Sequence, residues 1–133
     1  MIVVDTSALM AIASDEPFAG LCLLALEREP HALISAGTLA EAMIVATGRN
    51  ILDDMVRVVR DAELDIVPVT AVSAHRIGSI YARWGKGLHP AGLNFGDCFA
   101  YELATQKDCP LLFIGDDFAQ TDVKRALSSA AYP

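Results

Sequence analysis

Five acidic side chains stand where carboxylates could hold cations. Asp5 ends the apolar run "IVVD" and is followed by the hydroxyls of Thr6 and Ser7. Glu41 closes "TLAE" (38–41), Asp97 closes "NFGD" (94–97), and Asp116 with Asp117 forms the centre of "GDDF" (115–118). Carboxylates crowded together repel one another unless protonated or bound to cations. Oxygen donors without His or Cys beside them in sequence suit Mg2+ or Mn2+ rather than zinc.

Each acid also has a purely structural reading. "TLAE" fits a capping box with Thr38 as N-cap and Glu41 reaching back. Asn94 can cap the helix that Asp97 opens, where the helix dipole favours a negative charge. An aspartate of "GDDF" can cap a short helix at a turn. Asp5 can cap the next helix, but it interrupts the most apolar strand, which weakens that reading. Four acidic positions at one sheet edge are harder to assign to caps alone.

The elements that must position these acids follow from the apolar pattern. "IVV" (2–4), "ALIS" (32–35), "DIVPV" (65–69) and "PLLFI" (110–114) read as strands, with "SSAAY" (128–132) as a weak edge strand. Helices are expected over 16–29, with Pro17 in the first turn, and over 39–48, 53–62, 71–85 and 97–107. In the fourth of these, Ile77, Ile80, Tyr81 and Trp84 repeat at helical spacing. In the last, Phe99, Ala100, Leu103 and Ala104 should face inward. Strand and helix alternate, and the strands are almost continuously apolar. That implies a parallel sheet covered by helices on both faces, with ligands beyond the carboxyl ends of the strands. All five acids fall at that edge.

Length and composition bound the rest. The 133 residues suit one domain over 1–133, and a 53% hydrophobic content supplies a core. No apolar run reaches the length of a membrane span, and the N-terminus lacks a signal-peptide pattern, so a cytoplasmic protein with no membrane partner is expected. The three cysteines, Cys22, Cys98 and Cys109, are odd in number and have no CxxC spacing, which argues against a disulfide framework or a zinc site; Cys22 reads as a core residue. A net charge of -7 argues against broad nucleic-acid binding, but not against a local basic patch. Residues 66–96 contain no Asp or Glu, and carry Arg76, Arg83 and Lys86. His31, His75 and His89 lie away from the acidic positions.

"IVVDTSAL" (2–9), the helical Glu41, "GLNFGDCFAYELA" (92–104) and "PLLFIGDDFAQTD" (110–122) together resemble the PIN-domain ribonucleases, and most closely the VapC toxins of type II toxin–antitoxin pairs. The resemblance spans nearly the whole chain with the motifs in order. It implies a three-layer α/β/α sandwich with a central, mainly parallel sheet of four to five strands. It also implies a Mg2+-dependent endoribonuclease, with Mn2+ as a possible substitute, inhibited by a cognate VapB-like antitoxin and paired as a homodimer. Asp5, Glu41 and Asp97 match the family's acidic triad, with Asp5 and Asp97 as main metal ligands. Asp117, with Asp116 close behind, matches the fourth acid. Thr6 or Ser7 would support the site by hydrogen bonds. Arg76, Arg83 and Lys86 would guide RNA phosphates towards the metal.

Other classes fit less well. A haloacid-dehalogenase-like phosphatase needs a second Asp two residues after the first, where this chain has Ser7. A receiver-like Mg2+ module needs an acceptor Asp after a middle strand, which "IVPVT" (66–70) does not supply. No phosphate-binding P-loop is present. A degenerate PIN-like binding scaffold stays open at this point.

Overall fold

A computed structural model describes residues 1–128, so "SSAAY" lies outside the described residues except for Ser128. Four strands form a wholly parallel sheet in the order β3-β2-β1-β4. They are β1 (Ile2–Val4), β2 (Ala32–Ser35), β3 (Asp65–Val67) and β4 (Leu111–Leu112). Val3 of β1 stands between Leu33 of β2 and Leu111 of β4. A central strand buried on both faces has no use for polar side chains, which is why "IVV" is fully buried.

Alternate strand residues feed two cores, one on each face of the sheet. Val3, Leu33 and Leu111 pack against α5 (Ala71–Trp84) and α6 (Phe95–Lys107). Ile2, Val4, Ile34 and Leu112 pack beneath α1 (Thr6–Ala13), α2 (Ala19–Arg28), α3 (Ala36–Gly48) and α4 (Leu52–Asp61). The result is the α/β/α arrangement expected. Burying a Leu or Ile side chain such as Leu9, Ile34 or Leu112 contributes roughly 1.5–3 kcal/mol each against exposure.

Several local expectations are corrected. The helix α1 follows β1 directly and was not among the expected elements; its residues are apolar nearly all round, so no stripe marks it. Pro17 lies in the turn before α2 rather than within its first turn. The next helix starts at Ala36, three residues early, because Ser35 accepts the Gly37 amide at 3.2 Å and is the cap. Thr38 is therefore inside the helix, and the capping box at 38–41 does not form. By contrast, Asn94 and Asp97 do form a capping box. Tyr81 is 38% exposed, unlike Ile77 and Trp84 on the same helix. In α2, Cys22 is buried whereas Leu23 and Leu24 reach solvent. All three cysteines are buried and free. Among the described residues no helix is long and apolar enough to cross a membrane.

Candidate metal centre

Asp5 occupies the point where β1 ends and α1 begins. It is both a cap and something more. Its Oδ2 accepts the Ser7 amide at 3.0 Å and the Ser7 hydroxyl at 2.6 Å. Its Oδ1 is buried and has no hydrogen-bond partner. Burial pushes the Asp5 pKa up to about 6; the Ser7 bonds oppose this, and the Glu41 charge adds to it. Ser7 also accepts the Ile114 amide at 3.0 Å, which fastens the exit of β4 to the same spot.

Asp97 is the third residue of α6. Its Oδ2 accepts the Asn94 amide at 3.0 Å, and the Asn94 side chain accepts the Asp97 amide at 2.9 Å. The carboxylate is thereby fixed in rotation while remaining buried. Burial raises its pKa to about 7, opposed by the Asn94 bond and reinforced by the charges of Asp5, Asp117 and Glu41. The charges of three acids from three other stretches of chain thus bear on Asp97, and that of Glu41 also bears on Asp5. Asp117, just before the short 3-10 helix Phe118–Gln120, is the member of the adjacent pair whose charge acts on Asp97. Asp116 and Asp117 are both exposed.

Glu41 lies further into its helix than the sequence suggested, a turn and a half from the start. Its Oε1 accepts the Thr6 hydroxyl at 2.6 Å. The carboxylate rests on Gly96 so closely that a Cβ there would overlap it. Gly96 precedes the helix expected over 97–107 and was not among the expected site residues; a glycine one residue before a buried acid is the available signal. Thr6 and Ser7 both serve the site, each holding a different carboxylate.

The basic residues are placed differently. Arg76 and Arg83 share a groove with Tyr101, Glu102 and Asp122. Arg83 lies 3.9 Å from Asp122 and its guanidinium sits 4.5 Å over the Trp84 ring. Lys86 is exposed beyond the end of α5. Among the described residues none of the three pairs with Asp5, Glu41, Asp97 or Asp117. His31 lies at the opposite end of the sheet, where its carbonyl accepts the Ile2 amide at 3.0 Å. His89 accepts the Ala91 amide and packs on Trp84, so it is structural.

This donor set fits a hard divalent cation. The available donors are carboxylate oxygens, one of them buried without a partner. Among the described residues no three ligating side chains already enclose a single point. A hard cation that keeps several waters needs only one or two carboxylates from the protein. The alternative way to relieve the repulsion is protonation, which the raised pKa values of Asp5 and Asp97 describe.

Comparison with known proteins identifies the fold and the family. The PIN domain family model matches residues 2–124. Ribonuclease VapC30 of Mycobacterium tuberculosis is 41% identical over 127 residues, which cover 91% of this chain and 95% of that protein. In three dimensions the chain is similar to Mycobacterium tuberculosis VapC20, a Sarcin-Ricin loop cleaving toxin, with a TM-score of 0.76 at 17% identity over 92% of this chain and 96% of the other. It is also similar to a chain of VapBC2 from Rickettsia felis bound to a promoter DNA fragment, with a TM-score of 0.68 at 16% identity, covering 94% and 96% of the two chains. With its acids at the carboxyl ends of a parallel sheet and this degree of identity along its length, the chain belongs to the PIN-domain family and, within it, to the VapC ribonucleases.

Proposed function

We propose that this protein is the toxin of a type II toxin–antitoxin pair and hydrolyses RNA phosphodiester bonds internally, using Mg2+ with Mn2+ as a substitute. The observation that carries the reading is Asp5 Oδ1, a buried carboxylate oxygen without a partner, whose neighbours Glu41 and Asp97 are also acids. Asp5 and Asp97 would hold the cation. When bound, the cation supplies Lewis-acid polarisation of the phosphate and an acidified water.

The chain's own residues do the remaining work. Ser7 engages Oδ2 of Asp5 and the Asn94 amide engages Oδ2 of Asp97, so each carboxylate that would hold the cation is fixed in orientation. Glu41, held by Thr6, is suited to orient a water and accept its proton. Asp117 is the better fourth acid, since its charge acts on Asp97; Asp116 beside it is the lesser candidate. Arg76, Arg83 and Lys86 would draw the RNA backbone along α5.

A free ribonuclease must be restrained in the cytoplasm, where we place this protein. A VapB-like antitoxin would supply that restraint. Between α1, α2 and α4 lies a groove of about 350 Å³ lined by Ile12, Leu23, Leu26 and Val58 together with Glu27 and Asp61, and its apolar part suits the apolar face of an antitoxin helix. Homodimerisation is expected as well.

Purified protein incubated with total cellular RNA tests the reading, with Mg2+, Mn2+ or EDTA, beside Asp5→Asn and Asp97→Asn. Cleavage should require the metal and fall at least about a hundredfold in each variant. Cleavage that survives EDTA, or variants as active as the wild type, would leave a binding scaffold as the better description.

A further inference from the structure

Phe95 is 72% exposed, although it sits two residues from the buried Asp97. Phe95 stands in the same first turn of α6 as Asp97, and the acidic centre's own chemistry does not need its ring. The ring is also not loose. It belongs to the first turn of α6, which the Asn94–Asp97 capping box pins. Phe99 braces it at right angles, with ring centroids 5.0 Å apart. Phe99 in turn fills the space that Gly37 leaves open on α3. The same pair of helices brings Glu41 onto Gly96, next to Phe95 in the chain. A rigid, open aromatic surface therefore flanks the acidic centre on its α3 side.

We propose that Phe95 is a stacking platform for an unpaired nucleobase next to the scissile phosphate; this rests on the ribonuclease reading. The protein carries a net charge of -7, and its centre is built from acids. Long-range attraction of a polyanion is thus weak, and affinity must come from the cation and from contacts that ignore charge. Base–aromatic stacking is such a contact, and it tolerates any base. The stretch leading to Phe95 favours a nucleic acid over an acidic partner, because residues 66–96 carry no carboxylate to repel phosphates. The stacked base would hold the strand in one register, so Phe95 acts mainly on binding and hardly on the chemical step.

The test is cleavage of a short single-stranded RNA in Mg2+ by wild type, Phe95→Leu and Phe95→Trp, with kcat and KM measured separately and oligomeric state followed by sedimentation. Phe95→Leu should raise KM roughly tenfold with kcat within about twofold. Phe95→Trp should match or improve on the wild-type KM. An unchanged KM in Phe95→Leu overturns the proposal, as does a Trp variant as poor as the Leu variant. A shift in oligomeric state that tracks the loss would mark Phe95 as a protein contact instead, and also overturns it. If wild type itself failed to cut RNA, the ribonuclease reading would fall, and the platform with it; active wild type with an unchanged Leu variant removes the platform alone.

Discussion

The Ser7 hydroxyl donates to one oxygen of Asp5 at 2.6 Å, and the other Asp5 oxygen is left buried and unpartnered. One oxygen of this carboxylate is thus spent on a structural bond, and the other is free for the cation we propose it holds. Ser7 is itself held by the Ile114 amide, so the ends of β1 and β4 are set relative to each other through a single hydroxyl.

Ser7→Ala should therefore weaken metal use more than folding. Asp5 keeps its amide bond but gains freedom to rotate, and Ile114 loses its acceptor. Groups that orient a ligand in this way are worth about 10–100-fold in metal affinity or activity. A Mg2+ titration of RNA cleavage should show half-saturation moving upward by about that factor. An unchanged titration would remove Ser7 from the site.

The raised pKa values of Asp5 and Asp97 make a statement about stability without metal. Each carboxyl titrates near 3.8 when unfolded, but at about 6 for Asp5 and about 7 for Asp97 when folded. The folded state thus binds the protons more tightly. The resulting stability is fully present below the unfolded pKa and is lost as pH rises through the folded values. Metal-free protein should melt at progressively lower temperature from about pH 4 to pH 8 on this account. Adding Mg2+ at pH 8 should restore the melting temperature, and Asp97→Asn should flatten the pH dependence. Melting curves at several pH values, with EDTA or Mg2+, provide the check.

Gly96→Ala addresses the Glu41 seat. The added Cβ would occupy the position of the Glu41 carboxylate, which must swing away. Because only the tip of a flexible side chain has to move, the fold should survive. Activity should fall about tenfold if Glu41 handles the water. In a cycle with Glu41→Gln the two losses should not add, because they remove the same function. Additive losses would mean that Gly96 acts through something else.

Tyr101→Phe should affect stability. The Tyr101 hydroxyl accepts the buried Trp84 indole N–H at 3.1 Å and donates to Asp122. Its removal strands a buried donor, at a cost of about 1–3 kcal/mol. Urea unfolding should report this as a lower midpoint at unchanged slope.

Much of this architecture was legible along the chain. Runs such as "IVV" and "ALIS" are strands because a sheet covered on both faces accepts only apolar residues, and a carboxylate directly after such a run can only lie at its carboxyl end. Asn94 and Asp97 are three residues apart, so their capping box is a local matter and was readable. The odd count and the lack of CxxC spacing likewise pointed to free cysteines, and the apolar run around Cys22 to its burial.

Other features depend on contacts between distant segments, which periodicity does not encode. The helix α1 is buried on several sides at once, and so it lacks the stripe that marks a half-exposed helix. Ser35 and Thr38 are both fair caps in isolation. Ser35 is used because β2 ends there and the chain turns at once into α3, which also carries Glu41 to Thr6. Tyr81 repeats with Ile77 and Trp84 at helical spacing, yet it is 38% exposed because among the described residues no element covers that side of the helix. The residue types determined by themselves that acids would gather at one sheet edge. Only tertiary packing decided that one oxygen of Asp5 would be left without a partner, and that Gly96 would make room for Glu41, since burial and close approach are properties of neighbours far apart in sequence.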